Sequence, residues 1–318
     1  MRTVAIALSL AAVCACAHRQ PAAEGARAEE GVSLPLPAAF EGRLSNGDRG
    51  ALVLLDPARY VLLQRNAVTL IFRHGTWERE GADAIALTGA TPGRFRILDA
   101  DRLTDALAQP AVDAQEVSLD RQALPALVAG MATRRHGRIF FERCAGGTAV
   151  PLVDATGALD QALGDRAAPV YAELLATAIE DGTVLGPPAA GEELLAWEPQ
   201  RIQAEEARCE RLETGRVATA IGHEPDWKLE VDTRSVRLHR MGADPIGAPW
   251  APFRWEGGAY RYRADTGDVR WDVALRPVPC TDAMVEARYA WTAEVRVNET
   301  TLRGCAHLGT EWQRLHGG

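Results

Sequence analysis

Six cysteines carry the plainest chemistry in this chain, and they fall into two groups. Cys14 and Cys16 close an apolar run that starts at Val4, just after Arg2. A short positive end, an apolar run and small residues before a cysteine read as an export signal with a lipidation box over 1–16, removed from the mature chain. The run is too short to span a bilayer, for which about 20 residues are needed. Cys16 follows Ala15, the small residue a signal peptidase requires, whereas Cys14 follows the bulkier Val13, so Cys16 is the expected lipid acceptor. The alternative is an ordinary secreted protein whose signal happens to end in cysteine. The other four, Cys144, Cys209, Cys280 and Cys305, are even in number, and an oxidising periplasm would pair them. Three connectivities are open. The local one, Cys144 with Cys209 and Cys280 with Cys305, keeps each bridge inside one module and would stabilise by roughly 4 and 3.5 kcal/mol in the chain-entropy model. A zinc site needs thiolates in close pairs, and these four stand far apart, so no metal is expected.

The turn Gly222-His223-Glu224-Pro225-Asp226-Trp227 is the second candidate. Glu224 either caps backbone amides there or faces a ligand, and His223, Glu224 and Trp227 are the residues expected to touch one. Other catalytic patterns are missing. None of the five serines, Ser9, Ser33, Ser45, Ser118 and Ser235, lies in a G-x-S-x-G elbow, and there is no P-loop, dinucleotide fingerprint, H-E-x-x-H or EF-hand spacing. His74, His136, His223, His239 and His307 are scattered, and nothing in their spacing requires them to meet. The expectation is a protein that is not an enzyme and carries no cofactor; a divergent hydrolase would have to work with Glu224 and His223.

Positioning these residues falls to elements that read almost entirely as strands. The 318 residues are 47% hydrophobic, enough for two or three compact units. A net charge of −8 lacks the basic surface a phosphate backbone demands, so nucleic acid is not an expected partner. Lys228 is the sole lysine among 35 basic residues, a skew that fits a GC-rich genome and is assigned no function. Residues 17–37 have almost no large apolar side chain and read as a disordered tether. In 38–112, short alternating segments (Ala51 to Leu55, Tyr60 to Gln64, Val68 to Phe72, Ile85 to Leu87, Phe95 to Leu98) are separated by turns such as Asn46-Gly47 and Asp56-Pro57. Such a pattern predicts an antiparallel meander that must curl or close to cover its edges. In 117–210, Ile139 to Cys144, Ala149 to Val153, Leu194 to Trp197 and Arg201 to Glu206 read as strands. Leu159 to Ile179 reads as a helix broken at Pro169. In 215–318, the sets Trp227, Leu229, Val231, then Val269, Trp271, Val273, Leu275, and finally Tyr289, Trp291, Ala293, Val295, Val297 alternate as half-buried strands. Cys280 with Cys305 would lock the closing strands of that module. The fold class expected is mainly β: three small antiparallel barrel or sandwich modules, the middle one with a helix.

Three resemblances accompany this reading. Leu52-Val53-Leu54-Leu55-Asp56 with Tyr60, then Gly75-Thr76-Trp77, Ile85-Ala86-Leu87, Phe95 and Leu103 resemble the N-terminal domain of the NlpE-type envelope lipoproteins, which implies a lipocalin-like half barrel. That family is linked to copper and surface stress, but its paired C-x-x-C is absent, since no cysteine lies between Cys16 and Cys144. Copper binding by thiols is therefore not implied. The element order of 117–210 is similar to the OB-like domain of the same lipoproteins. From Gly222 onward, G-x-E-P-x-W, then Cys280-Thr281-Asp282-Ala283-Met284, Tyr289 to Ala293 and Gly304-Cys305-Ala306 resemble an uncharacterised bacterial periplasmic lipoprotein domain, with His223 in place of a small polar residue and Asp226 in place of an aromatic. Ala17 after the acceptor cysteine differs from the aspartate that resembles an inner-membrane retention signal in enteric lipoproteins. The resemblance implies the periplasmic face of the outer membrane, with the chain held to the membrane by its lipid. The function expected is binding or stress sensing at the envelope, through an envelope protein partner or an unidentified ligand. The alternative is inhibition of lysozyme or another wall hydrolase.

Overall fold

The computed structural model describes residues 32, 34–89, 92–106, 117–180, 183–186, 193–204 and 207–316. The signal and lipid acceptor readings at Cys14 and Cys16, and most of the tether, lie outside the described residues. Among the described residues no helix is long and apolar enough to cross a membrane.

Alternation between turns produces the first sheet. Strands β1 (Ala38–Arg43), β2 (Arg49–Leu54), β3 (Arg59–Arg65), β4 (Leu70–Glu80), β5 (Ala84–Thr88), β6 (Gly93–Asp99), β7 (Arg102–Asp105) and β8 (Leu119–Gln122) form a closed antiparallel barrel in chain order. Inward residues such as Phe40, Leu52, Leu54, Tyr60, Ile85 and Phe95 fill its interior, and Leu34 and Leu36, expected in the tether, pack against them. Closure comes from β8, which pairs with β1 from Ala39↔Gln122 to Gly42↔Leu119. This places the last barrel strand inside 117–210, a correction to the boundary read from sequence. At Gly42, where the two strands meet, a side-chain carbon would lie 1.8 Å from the Ser118 carbonyl oxygen, so only glycine allows the approach.

The middle sheet holds β9 (Ala126–Arg135), β10 (Arg138–Arg143), β11 (Val150–Asp154), β12 (Val170–Glu180), β13 (Thr183–Gly186) and β14 (Leu194–Gln203), with α1 (Ala158–Leu163) between β11 and β12. Strand β12 pairs with both β9 and β14, and β11 runs parallel to β14, so five strands close into a ring with a helix between the third and fourth. This is the connectivity of an OB-type barrel. Two expectations are corrected here. The helix is only six residues long: Asp154 Oδ2 accepts the Leu159 and Asp160 amides at its start, and Gly164, at φ +43°, ends it. Beyond Pro169 the residues read as helical form β12 instead. Val170, Ala172, Leu174 and Ala176 point into the barrel at period two, and ladders on both sides satisfy the backbone that a helix would have bonded internally. Strand β9 is the second difference: it precedes Ile139 to Cys144, the first strand expected in this module.

The third sheet contains β15 (Arg216–His223), β16 (Asp226–Asp232), β17 (Ser235–Arg240), β18 (Ala243–Pro249), β19 (Arg254–Glu256), β20 (Ala259–Thr266) and β21 (Val269–Arg276). The chain then makes β22 (Cys280–Asp282) and β23 (Ala287–Tyr289), returns through β24 (Trp291–Val297) and β25 (Thr300–Leu308), and ends in α2 (Trp312–His316). The order is β18-β17-β16-β15-β25-β24-β21-β20-β19, around a core of Trp227, Trp271, Trp291, Trp312, Tyr260 and Phe253. Tyr260 meets Trp312 edge to face with centroids 4.8 Å apart, a favoured aromatic geometry. Strands β22 and β23 belong to the middle sheet, β23 pairing with β14. The alternating run from Tyr289 to Val297 therefore breaks at Ala290, whose amide bonds to the Gln200 carbonyl as the chain changes sheet.

Both disulfides have the local pairing, Cys144 with Cys209 and Cys280 with Cys305. Because β22 is in the middle sheet and β25 in the third, the second bridge ties two sheets together instead of locking the third alone.

The modules share buried surfaces. Ala39, Ala51, Val53, Val61 and Leu63 on the barrel exterior pack on Leu195 and Trp197 of the middle sheet, and Glu41 accepts the amides of Val184 and Leu185 at 3.0 and 3.1 Å. At the junction of all three sheets, Arg59 bonds Asp56 and Glu198. Gln200 donates to Glu198 at 2.6 Å and accepts Trp291 Nε1 and the Leu308 amide. Burial pushes the Glu198 carboxyl pKa up, against the pull of Arg59.

Candidate functional site

The turn singled out from sequence is a hairpin corner. Gly222 faces Trp227, and His223 faces Asp226, leaving Glu224 and Pro225 as the loop. The Trp227 indole is core, 4% exposed. It lies across two glycines: a carbon added at Gly222 would sit 2.4 Å from its Nε1, and one at Gly304 would sit 2.9 Å from its Cζ2 and 1.8 Å from the Ile221 carbonyl oxygen. The spacing that marks the motif is thus the packing of one indole against the backbones of β15 and β25. His223 is a strut, with Nε2 2.7 Å from Asp282 Oδ2 on β22 and Nδ1 3.1 Å from Asp226 Oδ1. The hydrogen bond to Asp282, helped by Asp226, raises the His223 pKa against a smaller cost of desolvation. Glu224 is exposed and, among the described residues, accepts no backbone amide. The depression beside this corner, lined by His223, Trp227, His239 and Met241, is open to solvent. His223 and His239 border the same depression but have separate partners: His223 pairs with Asp226 and Asp282, His239 with Glu230, and His307 with Glu173.

A cleft of about 270 Å³ between the middle and third sheets gathers several groups with displaced pKa values. Period two puts Tyr171 and Glu173 of β12 on one face, away from the OB-type core. Arg201 stands opposite Glu173 on β14, and Tyr289 opposite Arg201 on β23. The third sheet supplies His307, opposite Thr219, and Lys228, opposite Ile221. Residues 207–214 cross one side as a strap, tied down by Cys209–Cys144, and bring Glu210, Arg211 and Glu213 to the wall.

Glu173 is the centre of this site. Its Oε1 accepts the Tyr171 hydroxyl at 3.0 Å and lies 3.5 Å from Arg201 Nη1, while Oε2 is 3.0 Å from His307 Nδ1. Burial opposes its ionisation, but His307 and Arg201 outweigh burial and bring the carboxyl pKa down to about 2. Burial, joined by the Glu173 charge, pushes the Tyr171 hydroxyl upward, and burial does the same for Tyr289. A carboxylate so fully engaged is a poor general base, and phenols held neutral are poor nucleophiles. Among the described residues, no serine and no free cysteine lines the cleft. At its edge Glu230 gathers Lys228 at 2.7 Å, His239 at 3.4 Å and Arg216 at 3.5 Å, and Glu213 accepts Arg216 Nε at 2.9 Å. The arrangement is built to hold charge in place. Among the described residues no group of three or more His, Cys, Asp or Glu is placed to hold a metal ion.

Sequence reasoning missed Tyr171, Glu173 and Arg201 and left His307 without a role. The available signal was a lone charged residue, Glu173, in the stretch Val170 to Ile179, which a helical reading would have turned to solvent.

No family model and no curated protein matches this chain. Among solved structures it is similar to the crystal structure of the Cpx pathway activator NlpE from Escherichia coli, at 20% sequence identity and a TM-score of 0.20, over 49% of this chain and 94% of that one. A likeness of that size adds nothing to the fold described above.

Proposed function

We propose that the chain is a non-enzymatic lipoprotein of the cell envelope, anchored by lipid on Cys16 at the periplasmic face of the outer membrane. It works there by binding, with the cleft around Glu173 as its small-ligand site and an envelope protein as partner. The observation that carries this reading is cysteine usage: every cysteine after the lipidation box is spent in one of two disulfides, a state suited to an oxidising compartment. Interiors filled by side chains and a cleft of fully engaged charges favour binding over turnover. Metabolic labelling with a palmitate analogue tests the anchor. Label should enter the wild type, vanish with Cys16→Ser, and follow the outer-membrane fraction; equal labelling of both forms would contradict the assignment. Crosslinking in intact envelopes should recover a reproducible partner, and recovery of the protein alone would count against the binding role.

A further inference from the structure

We propose that the outer face of β20, β21, β24 and β25 in the third sheet docks on a membrane surface that carries anionic lipid, with Arg261, Arg263, Arg276, Arg296 and Arg303 meeting the headgroups. This rests on the reading of the chain as a lipid-anchored envelope protein and adds which side of it lies against the membrane.

Period two and the strand register build that face. Inward residues of the four strands, such as Tyr262, Trp271, Val273, Val295 and Leu302, are core, so their chain neighbours stand on the other side. Cross-strand pairing sets Arg263 opposite Asp272, Asp272 opposite Arg296, and Glu294 opposite Arg303. Five arginines share two carboxylates. Asp272 takes Arg261 at 3.0 Å and Arg263 at 3.7 Å, while Glu294 takes Arg296 at 3.0 Å and Arg303 at 3.3 Å. Burial opposes ionisation of Glu294, and Arg303, Arg296 and Arg276 together hold its carboxyl below the usual range. Around them, Arg270 with Asp265, and Arg254 with Glu256 on β19, the latter 2.8 Å from Arg263, add charges of both signs equally. Height matters as much as number. Asp272 and Glu294 are sunk, 29% and 18% exposed, whereas Arg263, Arg296 and Arg303 stand out at 55%, 55% and 77%, so the charge presented to solvent is positive. The acidic balance of the whole chain, −8, does not cancel it, because exposed charges more than about 8 Å apart are largely screened at physiological ionic strength. The outward set on these strands includes no aromatic side chain, and its one apolar member, Ala274, is buried. Such a face lacks the aromatic and apolar anchors on which protein interfaces depend, and it fits a charged plane better.

Vesicle sedimentation tests this with the disulfide-bonded Cys16→Ser chain, which has no acyl anchor of its own. The proposal expects it to pellet with vesicles of phosphatidylcholine and phosphatidylglycerol in equal parts, to stay in solution with phosphatidylcholine alone, and to be released at about 1 M salt, where the Debye length is about 3 Å. An arginine near an anionic surface is worth about fivefold in binding, so Arg296→Gln combined with Arg303→Gln should weaken partitioning about tenfold or more. Arg94→Gln with Arg102→Gln, exposed arginines of the barrel, should leave it unchanged. If the first pair does not fold, the lipid and salt series on the parent chain decides alone. Equal pelleting with both vesicles, none with either, or equal weakening by the barrel pair would overturn the proposal. So would capture by heparin without capture by vesicles, which marks a site for a soluble polyanion. A lipidated Cys16 in the native protein with no vesicle binding by Cys16→Ser would sink this inference and leave the anchored reading standing. Vesicle binding with an unlipidated Cys16 would do the reverse.

Discussion

Gly304 has no room for a methyl group, and that single fact accounts for much of the motif that first drew attention to the third module. A carbon there meets backbone, the Ile221 carbonyl oxygen at 1.8 Å, so relief requires parting β15 from β25 and lifting the Trp227 ring. Gly304→Ala should cost about 3 kcal/mol in a denaturant titration, at the upper end of overpacking penalties. Gly93→Ala is the control, since its added carbon meets only Leu87 at ordinary contact distance and should be nearly neutral. His223 offers a test by pH. Its pKa is raised in the folded chain, chiefly by the bond to Asp282. The stability it contributes is therefore complete below the unfolded value of about 6.5 and is lost as pH rises through the folded value. A proton NMR titration should place its midpoint above 6.5, and Asp282→Asn should bring it down; a midpoint at or below 6.5 in the wild type would refute the strut.

At the scale of elements, the junction residues decide whether the three sheets hold together. Arg59, from the barrel, neutralises Glu198, which is buried in the middle sheet and linked through Gln200 to Trp291 of the third. Removing one partner of a buried pair leaves an uncompensated charge, so Arg59→Leu should destabilise by about 3–5 kcal/mol. Adding Glu198→Gln should recover part of the loss, and strict additivity in that double-mutant cycle would show that the pair is not coupled. The barrel meander was legible because its strands alternate between clear turns, such as Asn46-Gly47 and Asp56-Pro57. The misread helix shows the limit of that signal. Leu159, Leu163, Val170 and Leu174 fit helical spacing, yet from Val170 onward the same residues also fit period two, and only pairing with β9 and β14 resolves the ambiguity. Tyr289 and Trp291 alternate perfectly, and nothing local reveals that the chain leaves one sheet for another between them. The Glu173 site was illegible for a related reason. Its members come from β12, β14, β23 and β25, whose juxtaposition depends on two sheets packing face to face and not on any sequence spacing.

Taken whole, the molecule combines a tied-down architecture with a sequence read as beginning with an anchor. One disulfide fastens the strap to the middle sheet and the other joins the middle and third sheets, while the junction network brings in the barrel. An assembly fastened in this way ties together the elements that line the mixed-charge cleft, which would lower the ordering cost of the binding role proposed. The central claim is that this chain operates outside the cytosol, fixed to lipid through Cys16 with its other cysteines oxidised. Intact mass spectrometry of protein isolated from its native host, with and without thiol alkylation, tests this most directly. The account predicts a chain beginning at an acylated Cys16, unchanged in mass by alkylation. An unprocessed amino terminus with four alkylated thiols would contradict it.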